Sequence, residues 1–467
     1  MFILTLAIFL INFQTLDACP ALCNCHDQAV YCNVQKVLTK EDIEIIGPKI
    51  PLNTIALTIN QYASEDLSLK AFPVLPLLKE LNIGYSNLSK VPNELSRKLP
   101  ALSSLTLRRN KITRVSGKDF LGLRNLKDLR IFQNPLEEVS VDTFSDLLNL
   151  TYIDLQGNRL TSLDVRTFAG LEKLTIIDLT KNLIQSIPEY TFSSQKSLVE
   201  LRLENNKIKK LFPTSFAGLS KLSVLYLNRN EINKLPHGLF NVFDNSKLIF
   251  YMNHNKIEKV PNELFRDGQV INIFGIANNK LSDIADKAFA ETTFTTGLDL
   301  SSNNIKSIPP NAFRRTSISI LALANNPLNC NCDFYKLLDV IQQGNKATNF
   351  MGSCHLPTSL AGLSISNSSA IKESQCTICD FNSTCLNSAH CVPLGGKSFT
   401  CKCLDGYKGD ICQTKMKRNG QKELVFPLVG AFLALIFVIA IIFCIHWYMR
   451  RSLVGNRLQK EYSSINT

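Results

Sequence analysis

Charge is scarce in this chain. Only 19% of its 467 residues are Asp, Glu, Lys or Arg, while 45% are hydrophobic, so no disordered polyelectrolyte is expected. Basic excess is scarcer still once it is located. Of the formal +12, residues 415–423 and 450–467 carry +3 each and residues 1–18 carry −1, which leaves +7 for residues 19–414. That is too thin to displace phosphate counterions, so a nucleic-acid partner is excluded. An acidic partner such as a sulfated glycan is allowed. Histidine is rare too: the six (26, 237, 254, 355, 390 and 446) are scattered. There is no His-Glu-x-x-His, no Gly-x-Ser-x-Gly and no phosphate loop. No enzyme and no cofactor are therefore expected. Tryptophan occurs once, whereas phenylalanine occurs 27 times.

Two long apolar runs are present, one near each end. Residues Phe2 to Phe13 are too few to span a bilayer and suit a secretory signal, with cleavage after Ala18. Leu16-Asp17-Ala18-Cys19 half-resembles a bacterial lipoprotein box, but Asp17 spoils it. Leu424 to Met449 gives 26 residues without a fixed charge, about 39 Å of helix and enough to cross a membrane. Trp447 and Tyr448 fit an interfacial belt, and Arg450 and Arg451 follow. Flanking charge does not orient this span. The signal does, placing the amino terminus outside and an 18-residue tail inside.

Between these runs the pattern LxxLxLxxNxL recurs, as in Leu150-Thr-Tyr-Ile153-Asp-Leu155-Gln-Gly-Asn158-Arg-Leu160. Its Asn positions are Asn60, Asn110, Asn134, Asn158, Asn182, Asn206, Asn230, Asn255, Asn279, Asn303 and Asn326, with Ser86 in the second copy. Phe follows ten residues after the Asn in most copies, from Phe120 to Phe313. This pattern resembles the leucine-rich repeat in its 24-residue animal class, with twelve copies, the first irregular. In LxL both leucines point to one side of a short strand. Stacked copies make a curved parallel sheet with a short helical or irregular convex side. The Asn side chains should form a ladder to backbone groups of adjacent turns.

Fifteen cysteines accompany the repeats. Those at 19, 23, 25 and 32 precede them, and those at 330, 332, 354 and 376 follow. The two groups resemble the amino- and carboxy-terminal caps of extracellular leucine-rich-repeat proteins. Such caps cover core that the ends of a solenoid would expose. The spacing alone permits three pairings per cap. The resemblance implies Cys19–Cys25, Cys23–Cys32, Cys330–Cys354 and Cys332–Cys376. Six more cysteines end in Cys401-Lys-Cys403-Leu-Asp-Gly406-Tyr407-Lys-Gly409-Asp-Ile-Cys412, which resembles the close of an epidermal-growth-factor-like module. That resemblance implies Cys379–Cys391, Cys385–Cys401 and Cys403–Cys412. Thr377-Ile378 stands where calcium-binding members carry an acidic cluster, so no metal is expected. Cys444, in the apolar run, remains free.

The module order is then a signal peptide (1–18), an amino cap (19–51), repeats (52–328), a carboxy cap (329–376), an epidermal-growth-factor-like module (377–413), a linker (414–423), a transmembrane helix (424–449) and a cytoplasmic tail (450–467). It resembles vasorin-like proteins, and the repeats are also similar to Slit and Toll-family ectodomains. The resemblance implies a type I plasma-membrane receptor or adhesion protein binding a growth factor, a guidance cue or an adhesion partner, with a co-receptor. The alternatives are an innate pattern-recognition receptor, or a decoy trapping a growth factor, without its own signalling domain.

Outward positions of the LxL strands nominate a ligand face. They give Arg108, Arg109, Arg130, Phe132, Tyr152 and Asp154, then Arg202, Glu204, Tyr226, Arg229, Tyr251 and His254. Aromatic and arginine side chains are what binding hot spots favour. On a plain solvated sheet they would instead form cross-strand pairs such as Arg130–Asp154. Asn87, Asn149, Asn367 and Asn382 are glycosylation sequons, and Tyr462-Ser-Ser-Ile465 matches an endocytic motif.

Overall fold

The computed structural model describes residues 19–32, 37–243, 248–377, 379, 385–395, 398–416 and 433–450. The signal segment, Asn382 and the Tyr462–Ile465 motif lie outside the described residues. The described residues divide into two compact units, one up to Cys376 and the other from Thr377 onward.

In the first unit the repeat writes one strand per turn. A hairpin, Cys23–His26 with Ala29–Cys32, opens the sheet. Its second strand pairs in parallel with Ala56–Asn60, and the ladder continues turn by turn to Ile320–Ala322 and a closing strand, Asn349–Met351. Neighbours are offset by one repeat: Leu105 faces Leu129, which faces Ile153, which faces Ile177. These inward residues have no exposed surface. Burying each contributes about 1.5–3 kcal/mol. The opposite, convex wall carries short helical turns such as Gly117–Phe120 and a phenylalanine stack. Phe120, Phe144, Phe168 and Phe192 follow one another at centroid spacings of 6.1, 6.3 and 6.0 Å.

From Asn134 onward each ladder Asn hydrogen-bonds in both directions, whereas Asn110, next to Ser86, only donates, to Ile83 O and Arg108 O. Asn158 Nδ2 donates to the carbonyls of Ile131 and Leu155, and its Oδ1 accepts from the amides of Asn134 and Leu136. The first turn departs from the expected frame. Asn60 pairs with Gly84 and so with Arg108, which makes it an outward residue. The ladder position is Tyr62, 1% exposed, whose amide donates to Ser86 Oγ. Phe72 stands ten residues beyond it, in step with the later phenylalanines.

The residue before every ladder position has positive φ, from Gln61 (+53°) and Arg109 (+50°) to Asn325 (+57°). Stacking imposes this. In the third turn the amide of Arg109 donates to Phe132 O, and the strand must then bend into the flank.

Both ends are closed. Cys23–Cys32 bridges the opening hairpin, and the helix Lys40–Ile46, with its Thr39–Asp42 capping box, buries Ile43 and Ile46. At the other end the helix Cys332–Gly344, capped by Asn331, buries Phe334, Leu337, Leu338 and Ile341. Bridges Cys330–Cys354 and Cys332–Cys376 hold it. Cys19 is bonded to Cys25.

The second unit holds Cys379–Cys391, Cys385–Cys401 and Cys403–Cys412 around a hairpin, His390–Gly395 with Ser398–Lys402. Some 34 residues have too little core to fold unaided, so the bridges take its place. The helix Leu433–Arg450 is long and apolar enough to span a membrane, and Cys444 in it is unpaired.

Candidate binding face

The concave sheet brings the nominated residues into rows, because outward positions recur one turn apart. At its amino-terminal end Gly84 leaves room for Arg108 to lie flat. A Cβ there would come within 3.0 Å of Arg108 Cγ and 2.8 Å of Asn60 Oδ1. The guanidinium groups of Arg108 and Arg109 both sit over the ring of Tyr85, at 5.0 and 4.9 Å. Arg109 Nε also donates to Gln133 Oε1 at 2.6 Å. Tyr85, 47% exposed, is a member of this patch that the outward count omitted. Its signal was available: it precedes Ser86 as Arg109 precedes Asn110.

Arg130 does not pair with Asp154 across the strands. It turns back along its own strand to Asp128, donating through Nε and Nη2 at 2.8 and 2.7 Å, and it covers the ring of Tyr152 at 4.8 Å. Donation of these hydrogen bonds to Asp128 raises the Arg130 pKa further. Asp154, 3% exposed, is no contact residue in this state. It accepts from the Gln156 amide and side chain. Burial raises its pKa, and the adjacent Asp178 adds to this. Asp178 is itself bonded to Arg202, which also holds Glu200 at 2.7 Å. Glu204 accepts from Asn228 at 2.9 Å. Phe132 is half-buried beside these charged rows.

Further along, the face becomes aromatic. Tyr226 and Tyr251 stack at 5.4 Å. Arg229 and His254 are exposed on the rim, both with left-handed backbone. Past His254 the outward rows are mostly apolar, with Ile273, Gly275, Gly297, Ile320 and Ala322, but Asp299 interrupts them between Gly275 and Ala322, and they end at Asn349 and the exposed Met351. This apolar floor continues the same positions and was legible by extending the count.

Of the sequons, Asn149 has its amide engaged, Nδ2 donating to Arg124 O at 2.8 Å and Oδ1 accepting from Lys173. Asn87 donates to Ala63 O. Asn367 is exposed and accepts from the Ser369 hydroxyl of its own sequon. Among the described residues no group of three or more His, Cys, Asp or Glu side chains is placed to hold a metal ion.

The leucine rich repeat family matches residues 76–136, 125–184, 172–232, 196–256 and 269–328, together more than half of the chain. No curated protein matches it in sequence. Among solved structures, one similar chain comes from the octameric complex of Latrophilin 3, Unc5D and FLRT2, in which FLRT2 is the leucine-rich-repeat component. It has 22% identity and a TM-score of 0.57 over 74% of this chain and 97% of that one. Another belongs to the Toll–Spatzle complex of Drosophila, with 19% identity and a TM-score of 0.57 over 81% of this chain. The present chain spans 55% of that chain's length. These are likenesses of fold.

Proposed function

The chain belongs to the leucine-rich-repeat family, and from that premise we propose that it is a single-pass cell-surface receptor or adhesion protein whose concave face binds an extracellular protein. Seven disulfides in the described residues support an extracellular setting for both units, since such bonds persist where the environment is oxidising. The helix Leu433–Arg450 supports anchorage. The order of repeats, disulfide-rich module and apolar helix supports a place beside vasorin-like surface proteins.

The observation that carries the reading is the arginine–tyrosine ledge of Tyr85, Arg108, Arg109, Arg130 and Tyr152. Stacking holds these long side chains in place, so a partner meets planar donors whose ordering cost is already met. Repeat leucines are absent from the ledge, so it can vary without disturbing the core.

The test is a binding screen of residues 19–420 against secreted and cell-surface proteins, with microbial glycolipids and growth factors as separate panels. A protein partner that no longer binds when the ledge is altered supports the reading. Capture of glycolipids alone would replace it with pattern recognition.

A further inference from the structure

We propose that the flank of the solenoid just past the Asn ladder, between Arg159 and Lys306, is a docking surface for a linear sulfated polysaccharide, distinct from the concave face. On this flank each turn leaves the ladder Asn with outward residues one, three and four positions later. The side chains two and five positions past the Asn, such as Ile208 and Leu211, are buried. The backbone stacks turn on turn. Lys207 N donates to Ile184 O at 3.0 Å, Lys209 N to Gln185 O at 2.9 Å, Lys256 N to Ile232 O at 2.8 Å and Lys280 N to Ile257 O at 3.0 Å. Corresponding side chains on successive turns therefore stand about 5 Å apart, in a line along the solenoid.

Charge is concentrated on that line. These positions hold nine basic and three acidic side chains. Their net +6 is most of the +7 of residues 19–414, so the rest of that span is close to neutral. All nine basic side chains are exposed. Two acids are neutralised within the line, Glu231 by Lys256 at 2.8 Å and Asp283 by Lys259. Lys207, Lys209, Lys210 and Lys234 make no ion pair among the described residues. The Glu231 carboxyl is held below its usual pKa by the hydrogen bond from Lys256, with Lys209 and Lys207 adding to the effect. The field is therefore densest at the turn carrying Asn206.

The shape of the array selects the class of partner. A compact acidic ligand would meet one or two of these turns, whereas an extended polyanion lying along the flank meets a cation on almost every one. A bilayer is disfavoured because no large apolar side chain stands exposed among these positions to enter it. Attraction of this kind is long-ranged and falls with salt.

The experiment uses the full chain in nanodiscs of neutral lipid, with immobilised heparin as the probe. The parent should be retained near physiological salt and released as salt rises. Lys207→Gln, Lys209→Gln and Lys210→Gln together should weaken binding at least about tenfold. The triple Lys118→Gln, Lys196→Gln and Lys221→Gln removes the same charge elsewhere and should change it less than about twofold. Should the first triple fail to fold, Lys234→Gln, Lys280→Gln and Lys306→Gln provide the same readout on neighbouring turns. Alanine at Arg108, Arg130 and Phe132 should leave heparin retention unchanged, which separates this site from the concave one. No retention of the parent, equal losses in both lysine triples, equal retention by desulfated heparin, or lysine-dependent capture of phosphatidylserine vesicles in place of heparin would each overturn the proposal.

Discussion

Asn205 and Asn206 are adjacent and meet opposite demands. Asn206 Nδ2 donates to the carbonyls of Leu179 and Leu203, and Oδ1 accepts from Ile184 N at 3.1 Å, all inside the core. Asn206→Leu leaves these groups unsatisfied, and the expected loss is about 1–3 kcal/mol or more. Asn205 sits at φ +52°, so Asn205→Leu carries a smaller cost of about 1–2 kcal/mol from the left-handed backbone. Asn205→Lys should cost about as much as Asn205→Leu, because the left-handed cost comes from Cβ, and Lys181 shows one turn earlier, at φ +55°, that the fold tolerates it. Thermal melting of the three variants checks the order, and equal melting would mean the ladder position is misplaced. Asp154 allows a second residue-scale prediction. Its pKa is raised in the folded state by burial, so folding favours its protonated form. The associated stability is therefore present at low pH and is lost as pH rises through the folded pKa. Asp154→Asn keeps an acceptor for the Gln156 amide and should gain stability over the parent near pH 7. The gain should vanish below about pH 3.5. Melting curves at the two pH values decide this, and a constant difference would contradict it.

At the scale of elements, the caps and strands were legible because they are written at fixed offsets. An apolar residue at every inward position, a Phe ten residues past most ladder positions and a period close to 24 residues leave one arrangement of turns. The first turn was misread by two residues because Asn60 imitates a ladder Asn while Tyr62 occupies the site. Phe72 was the corrective signal. Side-chain pairing on the face was less legible. In a strand, the i and i+2 side chains share a face with the cross-strand neighbour, and Arg130 had both Asp128 and Asp154 within reach. Sequence spacing does not rank the two, whereas a bidentate fit to Asp128 does. The carboxy cap gives the element-scale prediction. Cys332 anchors the first turn of the helix Cys332–Gly344 to Cys376. Cys332→Ala should cost about 2–5 kcal/mol and sharply reduce secretion. Secretion equal to the parent, measured from culture medium, would show that the cap closes without this bridge.

At the scale of the whole molecule, the repeats build a long sheet whose inner side carries no core leucine, followed by a disulfide module and one apolar helix. The face changes along its length, from the arginine–tyrosine ledge through the paired charges at Asp178 and Arg202 to the Tyr226–Tyr251 stack and an apolar floor. A protein partner could use the ledge and the floor together, whereas a small ligand could not reach both. Family membership and the absence of a catalytic motif in the sequence agree with a role in display and binding. The most direct measurement is the affinity of the partner recovered in the screen for two matched variants, each first shown to be secreted and to melt like the parent. One truncates Arg108, Arg130 and Phe132 to Ala on the concave face. The other truncates Lys118, Lys127 and Asp142, all exposed and away from the ledge. Hot-spot truncations cost about 2 kcal/mol or more, so the concave triple should weaken binding at least about thirtyfold while the other changes it little. Full binding by the concave triple, with loss in the other, would contradict the account.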